Sequence, residues 1–527
     1  MLAGLLLLLL GAFIQVNRTQ FALLGGSSDR DVALRTIMSV NEYCIDMLER
    51  DEDWGSVDFP SDREDTDLNN SGYMRVTENQ GTREIEGEIP SLHSKFKVQI
   101  DNRLSTDERA VLLISAEVGN LSRVVETRLR PAPLFDSGIA AGGGVQVSAS
   151  ELTVGSRDPY RNVVRARGRI DAPDYRDLHF VSKPNAAGED GSAQGIFMAK
   201  DDITFQVGGS TESVTDPTVM QNAVDETAGK FFPNSGINNQ LHDLQSSDVA
   251  VPAGSSSIQD GEYRFAELEC SYQQWVQVSS LPTRYDWRTR STTVPVMQRF
   301  STAGALTDYW FTQASLSGTT RNPTFSVSGT AHEEADTTFD LDVGNLVSVT
   351  LDTPTSRPRF DVQADGLITI PGTFKVTSEG EEPMLSFSGT SGNSQIEADG
   401  DVTVQGEISG NGIIISKNGS VELNLTSADT TGNSLGVSLF ADKDITINAT
   451  GGGNLGFSGL LFARDNVTVN GVDKDFVVDG ALVARNGDIS IDTDGKVDLT
   501  YNPDYLKLLL EDLPQNRTKL ETLVWKE

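Results

Sequence analysis

The sequence predicts a mainly β fold: a long N-terminal α-helix and a small antiparallel sheet, then a right-handed parallel β-helix (β-solenoid) with an inserted subdomain. The 527 residues include 49 glycines, while aromatic side chains make up only 7%. This composition is typical of many short strands joined by tight turns. A motif also repeats through the second half at near-constant spacing, which indicates a solenoid.

The N-terminal segment predicts a membrane anchor. Residues 1–16 are uncharged, with Gln15 as the one polar side chain, and apolar character resumes at residues 21–24. The first run has the length of a signal-peptide core and is slightly short for a bilayer span. No basic residue precedes it and no clean cleavage site follows. We therefore predict one anchor helix over residues 1–48, whose later apolar positions follow helical spacing: Val32, Leu34, Ile37, Met38, Ile45 and Leu48.

An acidic linker is predicted at residues 49–69. A calcium loop is the alternative, but the acids lack the ligand spacing and the glycine of such a loop. Asp492-Thr-Asp-Gly has the opening spacing of a calcium loop without its closing glutamate. The sequence thus predicts no cofactor, with calcium as the one metal left open.

Residues 70–134 predict a three- or four-stranded antiparallel meander with one wet face. Turn-rich stretches separate its alternating apolar segments, and prolines at 131 and 133 end the last strand. The segments are residues 73–76, 96–100, 111–116 and 124–129.

The repeated motif has an apolar pair, a small residue, a polar turn of Asp, Asn or Gly, and then an apolar–polar–apolar triplet. Its three clearest copies begin 22 and 21 residues apart, at Leu439, Leu461 and Leu482. Four more clear copies and two weaker ones begin at Ile396, Ile414, Val362 and Phe197, and at Ile139 and Val164.

Each copy supplies two short strands joined by a tight corner, and stacked copies bury their apolar residues in ladders. One predicted ladder contains Ile445, Val467 and Ile489. A second contains Ile447, Val469 and Ile491, and Ala441, Ala463 and Ala484 are expected at a crowded corner. An antiparallel sandwich with chance similarity remains the alternative.

This pattern divides the rest of the chain. We predict first solenoid coils at 135–209, an inserted irregular subdomain at 210–345, the main solenoid at 346–500, and a C-terminal capping helix and tail at 501–527. The two solenoid parts are expected to form one continuous stack from which 210–345 is an excursion. Leu506, Leu509 and Leu510 are expected to cover the open end of the stack.

The insertion carries the candidate ligand-contacting residues, Trp275, Trp287 and Trp310. They form either a sugar-binding platform or part of a buried core.

No catalytic residue is predicted, and the chain is not expected to be an enzyme. The four histidines lack metal-ligand spacing, and no Gly-x-Ser-x-Gly, Walker or His-Glu-x-x-His motif occurs. Asp201 and Asp202 suggest the paired acids of β-helix glycosidases, but Asp444 and Asp465 at matching turn positions favour a corner role. Two cysteines, Cys44 and Cys270, are too few for a disulfide framework or a metal site, although they could form one disulfide with each other. The formal charge of −34 excludes nucleic acid as a partner.

The apolar helix followed by a small sheet resembles the N-terminus of PilX-type minor pilins. The processing motif of type IV pilins, a Gly with Glu five residues later, is absent, since Leu9 and Val16 stand at that distance from Gly4 and Gly11. Residues 390–515 resemble the polymer-forming, bactofilin-like β-helix regions of large bacterial surface proteins. The resemblance covers the copies at 439, 461 and 482 and the closing Leu-Thr-Tyr-Asn-Pro-Asp-Tyr-Leu, 499–506.

These resemblances imply a structural protein anchored in the cell envelope by one membrane pass, with its body outside the cytoplasm or in an extracellular pilus. The implied partners are the membrane, other pilin-like subunits and pilus assembly proteins. A first alternative is a surface adhesin that binds polysaccharide through the tryptophan-bearing insertion. A second is a β-helix polysaccharide lyase or hydrolase.

Overall fold

The chain divides into two compact units, residues 1–133 with 515–527, and residues 134–514. The computed structural model describes residues 29–48, 75–79, 84–102, 110–119, 121–131, 137–158, 162–185, 188, 190–235, 244–249, 254–334, 338–340, 347–350, 358–362, 366–379, 383–388, 394–429, 436–449, 455–471, 474–503, 505 and 520–526. The acidic linker 49–69 and the first 28 residues of the predicted anchor helix lie outside these residues. Among the described residues, no helix has both the length and the apolar character that a membrane crossing requires.

The first unit contains a helix at 29–48 and a six-stranded antiparallel sheet. The predicted antiparallel sheet is therefore confirmed, with more strands than expected. The last of them is the C-terminal strand of the chain, which pairs with Leu121–Pro131. In sheet order the strands are Arg75–Asn79, Glu84–Ile89, Ser94–Asn102, Ala110–Val118, Leu121–Pro131 and Leu520–Lys526, with a 3-10 turn at Pro90–Leu92.

One face of the helix forms a single apolar core with the sheet. Ala33, Ile37, Val40 and Cys44 are fully buried and follow the three-to-four-residue spacing of a helical stripe. Met38 is predicted in this stripe but is 52% exposed, because it lies about 100° around the helix from the buried Ile37. Burial also raises the pKa of the Cys44 thiol.

The second unit is built from three parallel ladders of short strands, here called ladders A, B and C and together the parallel stack. Some long strands bend and contribute to two ladders. Ladder A contains, in spatial order, Gly254–Ser257, Gly366–Ile370, Ser394–Ala398, Gly412–Ser416, Val437–Ala441, Leu455–Ala463, Phe476–Ala484, Ile139–Ala141, Val163–Ala166, Ile196–Ala199 and Lys230–Phe232.

Ladders B and C run beside it. Ladder B contains Gly261–Ser280, Phe374–Ser378, Val402–Gly410, Val421–Asp429, Ile445–Ala449, Val467–Gly471, Ile489–Thr493, Val145–Ser148, Ile170–Ala172 and Ile203–Val207. Ladder C contains Arg359–Val362, Met384–Phe387, Val402–Gly410, Val421–Asp429, Leu455–Ala463, Phe476–Ala484, Lys496–Tyr501, Glu151–Ser156 and Leu178–Ser182.

The remaining described elements lie at the two ends of the stack or beside it. The strands are Ser210–Ser213, Thr283–Phe300, Leu306–Thr312, Thr320–Phe325, Thr330–Glu334, Thr338–Asp340 and Val347–Thr350. The helical elements are the α-helix Pro217–Thr227 and 3-10 turns at Tyr175–Asp177, Ser246–Asp248 and Gln313–Ser315.

The predicted residue ladders are confirmed by the strand register. Ile445 pairs with Val467 and Val467 with Ile489, and the second triplet is in register in the same way. All of these side chains are at most 1% exposed. The small residues also align, with Ala441 opposite Ala463 and Ala463 opposite Ala484.

The order of repeats along the stack differs from their order in the chain. Residues 482–484, 489–492 and 496–501 pair with 139–141, 145–148 and 151–156. The first repeats therefore stack on the last repeat, and the expectation that they precede the 359–378 repeat is wrong. The expected open end after Tyr501 is also wrong, because the first repeat covers it. Residues 506–519, which include the predicted capping leucines, lie outside the described residues.

Each end of the stack is covered by aromatic side chains. At one end, Phe180, Phe197, Phe205 and Phe231 pack with ring centroids 5.5–6.4 Å apart. The helix Pro217–Thr227 buries Val219 and Ala223 there, and Asp216 caps it by accepting a hydrogen bond from the Thr218 amide at 2.7 Å. At the other end, Tyr263 packs against Trp310, Phe360 and Phe374.

Candidate functional site

The most distinctive exposed surface of the second unit lies on a long hairpin. Its strands, Gly261–Ser280 and Thr283–Phe300, are antiparallel and turn at Leu281 and Pro282. Residues 261–265 pair with the parallel stack, which fixes the base of the hairpin. Beyond Trp275 the two strands pair only with each other among the described residues. This free part extends for about 20 Å at the usual rise per strand residue. We call residues 275–290 the distal hairpin.

Three aromatic rings share one face of the distal hairpin. Trp275 lies directly opposite Trp287, with ring centroids 5.1 Å apart. Tyr285 stacks beside Trp275 at 6.1 Å with only 15° between the ring planes. Trp275 and Tyr285 are 42% and 46% exposed. Large apolar rings left in water in this way mark an interaction surface.

An arginine from a neighbouring strand holds this row in place. The guanidinium carbon of Arg321 lies 3.9 Å from the Trp287 ring centroid. The Nε–H of Arg321 donates to Gln273 Oε1 at 2.9 Å, which fixes the guanidinium over the ring. Trp287 is therefore half-buried, and Trp275 and Tyr285 are the more exposed rings.

The distal hairpin has the opposite charge to the whole chain. Between residues 271 and 293 there are three arginines, all exposed, against the single acid Asp286. Arg321 adds a fourth exposed cation beside them. The full chain carries −34. This reversal of sign concentrates positive charge on the projecting hairpin that also carries the exposed rings.

The third tryptophan of the predicted set belongs to the interior. Trp310 is 9% exposed and stacks on His332 at 5.0 Å. Below it, Asp308 accepts hydrogen bonds from Arg299 and contacts His332 Nε2 at 3.1 Å. Burial alone would raise the pKa of the Asp308 carboxyl, but these hydrogen bonds outweigh it and hold that pKa below its usual range. The structure thus brings Trp275 and Trp287 together and places Trp310 in the core.

The polar corner residues of the repeat are used within the stack. Asp444 Oδ1 accepts from the Asn466 amide at 3.0 Å, and Asn466 Oδ1 accepts from the Asp488 amide at 2.9 Å. Asp488 Oδ1 in turn accepts from the Gly144 amide at 2.6 Å, so the corner ladder crosses from the last repeat to the first. These side chains satisfy amides that the tight corners leave without a strand partner.

Asp202 occupies a similar corner. Its Oδ1 accepts hydrogen bonds from the Ile203 amide at 2.8 Å and the Ser213 hydroxyl at 2.9 Å. This geometry is that of a structural corner and supports the corner interpretation of the Asp201–Asp202 pair.

We expect Asp202→Ala to lower the free energy of unfolding by about 1–2 kcal/mol, because two hydrogen bonds to one carboxylate oxygen are lost. Asp201→Ala is the matched control, since Asp201 is exposed, and it should change stability by less than about 0.5 kcal/mol. Urea unfolding followed by circular dichroism measures both. An equal cost at the two positions would contradict the corner assignment.

Other chemistry is sparse in the described part of the chain. There, no group of three or more His, Cys, Asp or Glu side chains is placed to hold a metal ion. A small cavity of about 30 Å³ lies between Gln245, Phe440 and Arg464 and has room for about one water molecule. Cys44 and Cys270 are both buried and unpaired, so the single disulfide left open by the sequence is not formed.

Comparisons with known proteins add little to this geometry. No model of a known protein family matches the sequence, and no curated protein matches it. Among solved structures, the chain is similar to the competence-associated pilin ComZ from Thermus thermophilus. The two are 11% identical, and the match covers 94% of this chain and 96% of that chain with a TM-score of 0.26. A score this low supports no conclusion about fold or function, which rest on the residues themselves.

Sequence reasoning identified the tryptophans but missed Tyr285 and the arginines around them. The sequence run Arg284-Tyr-Asp-Trp-Arg-Thr-Arg290 could have identified them, because aromatic and basic residues alternate there in an otherwise acidic chain. The contact of Arg321 with Trp287 could not be predicted from the sequence, because the two residues are 34 positions apart and only the strand pairing brings them together.

Proposed function

We propose that this chain is a non-enzymatic structural protein of the bacterial envelope, a minor-pilin-like component associated with a type IV pilus or pseudopilus. Its N-terminal segment anchors it in the membrane, and it displays a β-solenoid outside the cytoplasm. Its partners are other pilin-like subunits or pilus assembly proteins.

The observation that carries this proposal is that the parallel stack is inserted into a helix-and-sheet unit. The sheet of the first unit is completed by the strand Leu520–Lys526, on the far side of the insertion in sequence. Within the second unit, the first and last parts of the insertion that the structure describes are neighbours, since a Cβ at Gly138 would lie only 2.7 Å from Tyr501 Cβ. A helix packed on an antiparallel sheet is the arrangement of a pilin-like head. We propose that this head carries the parallel stack as an inserted domain.

We further propose that the stack is a right-handed β-helix. The continuous parallel ladders, the aligned alanine corners and the corner hydrogen bonds support this assignment. Right-handed connection is the general rule for parallel strands joined by a crossover. Because both ends of the stack are covered by aromatic side chains, we propose a single displayed body rather than a polymer that grows end to end.

The location of the protein tests this proposal. We expect the full-length chain to sediment with membranes and to be released by detergent but not by high salt. The double variant Leu7→Glu/Leu8→Glu should move to the soluble fraction, because two carboxylates in the apolar run cost about 5 kcal/mol or more in a bilayer. Leu113→Glu/Val124→Glu is the matched control at exposed positions of the first unit and should stay with the membrane.

Recovery of the wild-type chain as free cytosolic protein would contradict both the anchor and the pilus association.

A second candidate function is favoured by one specific observation. Trp275 and Tyr285 expose nearly parallel rings on the distal hairpin. Parallel aromatic rings are suited to the apolar faces of sugar rings, and we propose polysaccharide binding there as an adhesive function of the displayed body.

A further inference from the structure

We infer that the distal hairpin, together with Arg321, binds an acidic polysaccharide: a linear chain of carboxylate-bearing sugars. This inference rests on the proposed polysaccharide-binding function and names the chemical class of its ligand. It is carried by the placement of exposed rings and exposed arginines on one projecting element of an acidic protein.

The rings supply the apolar part of the site. Trp275 and Tyr285 are stacked with centroids 6.1 Å apart and are 42% and 46% exposed, which leaves ring surface open to the apolar face of a sugar. The strand pairing that places Trp275 opposite Trp287 also fixes the ring positions before any ligand arrives. Binding to such a preorganised row loses little side-chain entropy.

The arginines supply selectivity for charge. Arg284, Arg288 and Arg290 alternate with Tyr285 and Trp287 along one strand, so they lie on the face of the hairpin opposite the rings. A bound polysaccharide therefore contacts both groups by wrapping the two-stranded hairpin, and Arg321 is the arginine on the face of the rings. A guanidinium presents donors in a fork that matches a carboxylate, and lysine is absent from this segment. Binding of a neutral polysaccharide would not require this cluster of arginines.

An acidic polysaccharide fits this surface better than two other anionic partners. A second copy of this chain would bring its own charge of −34 near an equally acidic body, which opposes association. A lipid bilayer would take up apolar residues, but the tip offers only two aliphatic side chains, Leu281 (91% exposed) and Val278 (38% exposed), among serines, Pro282 and Thr283. A thin linear chain reaches the arginines on the projecting hairpin without approaching the acidic stack.

The test is calorimetric titration of the full-length protein in detergent with octamers of galacturonate and of mannuronate. Their methyl esters serve as uncharged ligands with the same rings. We expect at least one acidic octamer to bind about tenfold or more tightly than its ester. Binding should weaken as salt rises, because the arginine contacts are screened.

Three variants separate the contributions of the rings and of the arginines. Trp275→Ala should weaken binding of the acidic octamer by about tenfold, and Trp275→Phe should recover part of the loss. The triple variant Arg284→Gln/Arg288→Gln/Arg290→Gln should remove the preference for acid over ester. The matched controls Phe232→Ala and Arg169→Gln, exposed positions elsewhere on the second unit, should change affinity less than about twofold.

Equal binding of acid and ester by the wild type, lost in Trp275→Ala, would overturn the acidic specificity while leaving polysaccharide binding intact. No binding of any octamer at millimolar concentration would overturn both. Binding to vesicles of anionic phospholipid, or concentration-dependent dimers lost in the triple arginine variant, in place of octamer binding, would also overturn the inference. Circular dichroism of each variant confirms that the stack is folded.

Discussion

Replacing Gly142 with alanine is expected to lower the free energy of unfolding by about 3 kcal/mol. A Cβ at this position would lie 2.0 Å from the backbone oxygen of Arg485 and 2.8 Å from the Asn486 Cα. The Gly142 amide is also held to Ala484 O at 2.7 Å, so the clash is relieved only by separating the first repeat from the last. Urea unfolding of the full chain measures the change.

Gly471→Ala is the matched control for this prediction. Its Cβ would meet only ordinary contacts, the nearest being Lys474 Cβ at 3.5 Å. Alanine also reduces the freedom of the unfolded chain, so the control should be neutral or stabilising by about 0.5 kcal/mol. A Gly142→Ala variant as stable as the control would mean that residues 139–156 do not stack on residues 476–501.

The repeat motif predicted the local structure well, because its information lies within a few residues. The alternation of Ile445 and Ile447 requires a strand with one buried face, and the polar corner before it requires side chains that accept amide hydrogen bonds. Even the weak copy at Ile139 pairs as the motif predicts, with Ile139 opposite Leu482.

The order of the repeats was not predictable, because each copy is compatible with any other as its neighbour. In the structure Val145 pairs with both Ile170 and Ile489. Either Val145 or Ile170 would suit the position beside Ile489, because both are β-branched apolar residues. What selects the observed neighbour is specific: ion pairs such as Arg157–Asp479 at 2.9 Å and Lys496–Glu151 at 2.6 Å, and the absence of a Cβ at Gly142. The two pairs are partly exposed and each contributes little alone. Long-range complementarity of this kind is not visible in local periodicity.

The candidate site shows the same limit. Trp275 and Trp310 look equivalent as tryptophans in an irregular segment, yet one is 42% and the other 9% exposed. Trp310 is covered because its strand, Leu306–Thr312, packs over the end of the stack beside Tyr263. Trp275 lies beyond the last strand that pairs with the hairpin. Exposure was decided by pairing partners far away in sequence.

Phe457→Ala is expected to have the largest effect on the interior, about 3–5 kcal/mol. The ring is fully buried in the middle of ladder C, where it lies 6.2 Å from the Phe476 ring and its backbone pairs with Val478. Alanine would leave a cavity with rigid strands on both sides. Phe232→Ala removes a ring of the same size that is 45% exposed, so this control should cost less than about 1 kcal/mol.

Amide hydrogen exchange of Phe457→Ala under native conditions also tests the spatial order of the stack. In a stack where each repeat contacts only its neighbours, lost stability spreads outward in both directions from the substituted repeat. In ladder B, residues 145–148 and residues 421–425 each lie two strands from Val467–Gly471, the ladder B strand of the Phe457 repeat. Exchange should therefore rise in both segments, and more in 421–425, because the strand Val421–Asp429 also pairs directly with Leu455–Ala463 in ladder C. Residues 145–148 should respond although they are about 310 residues away in sequence. Faster exchange in 421–425 with unchanged exchange in 145–148 would mean that the first repeats are not part of the same stack, because proximity in the chain alone would then account for the spread.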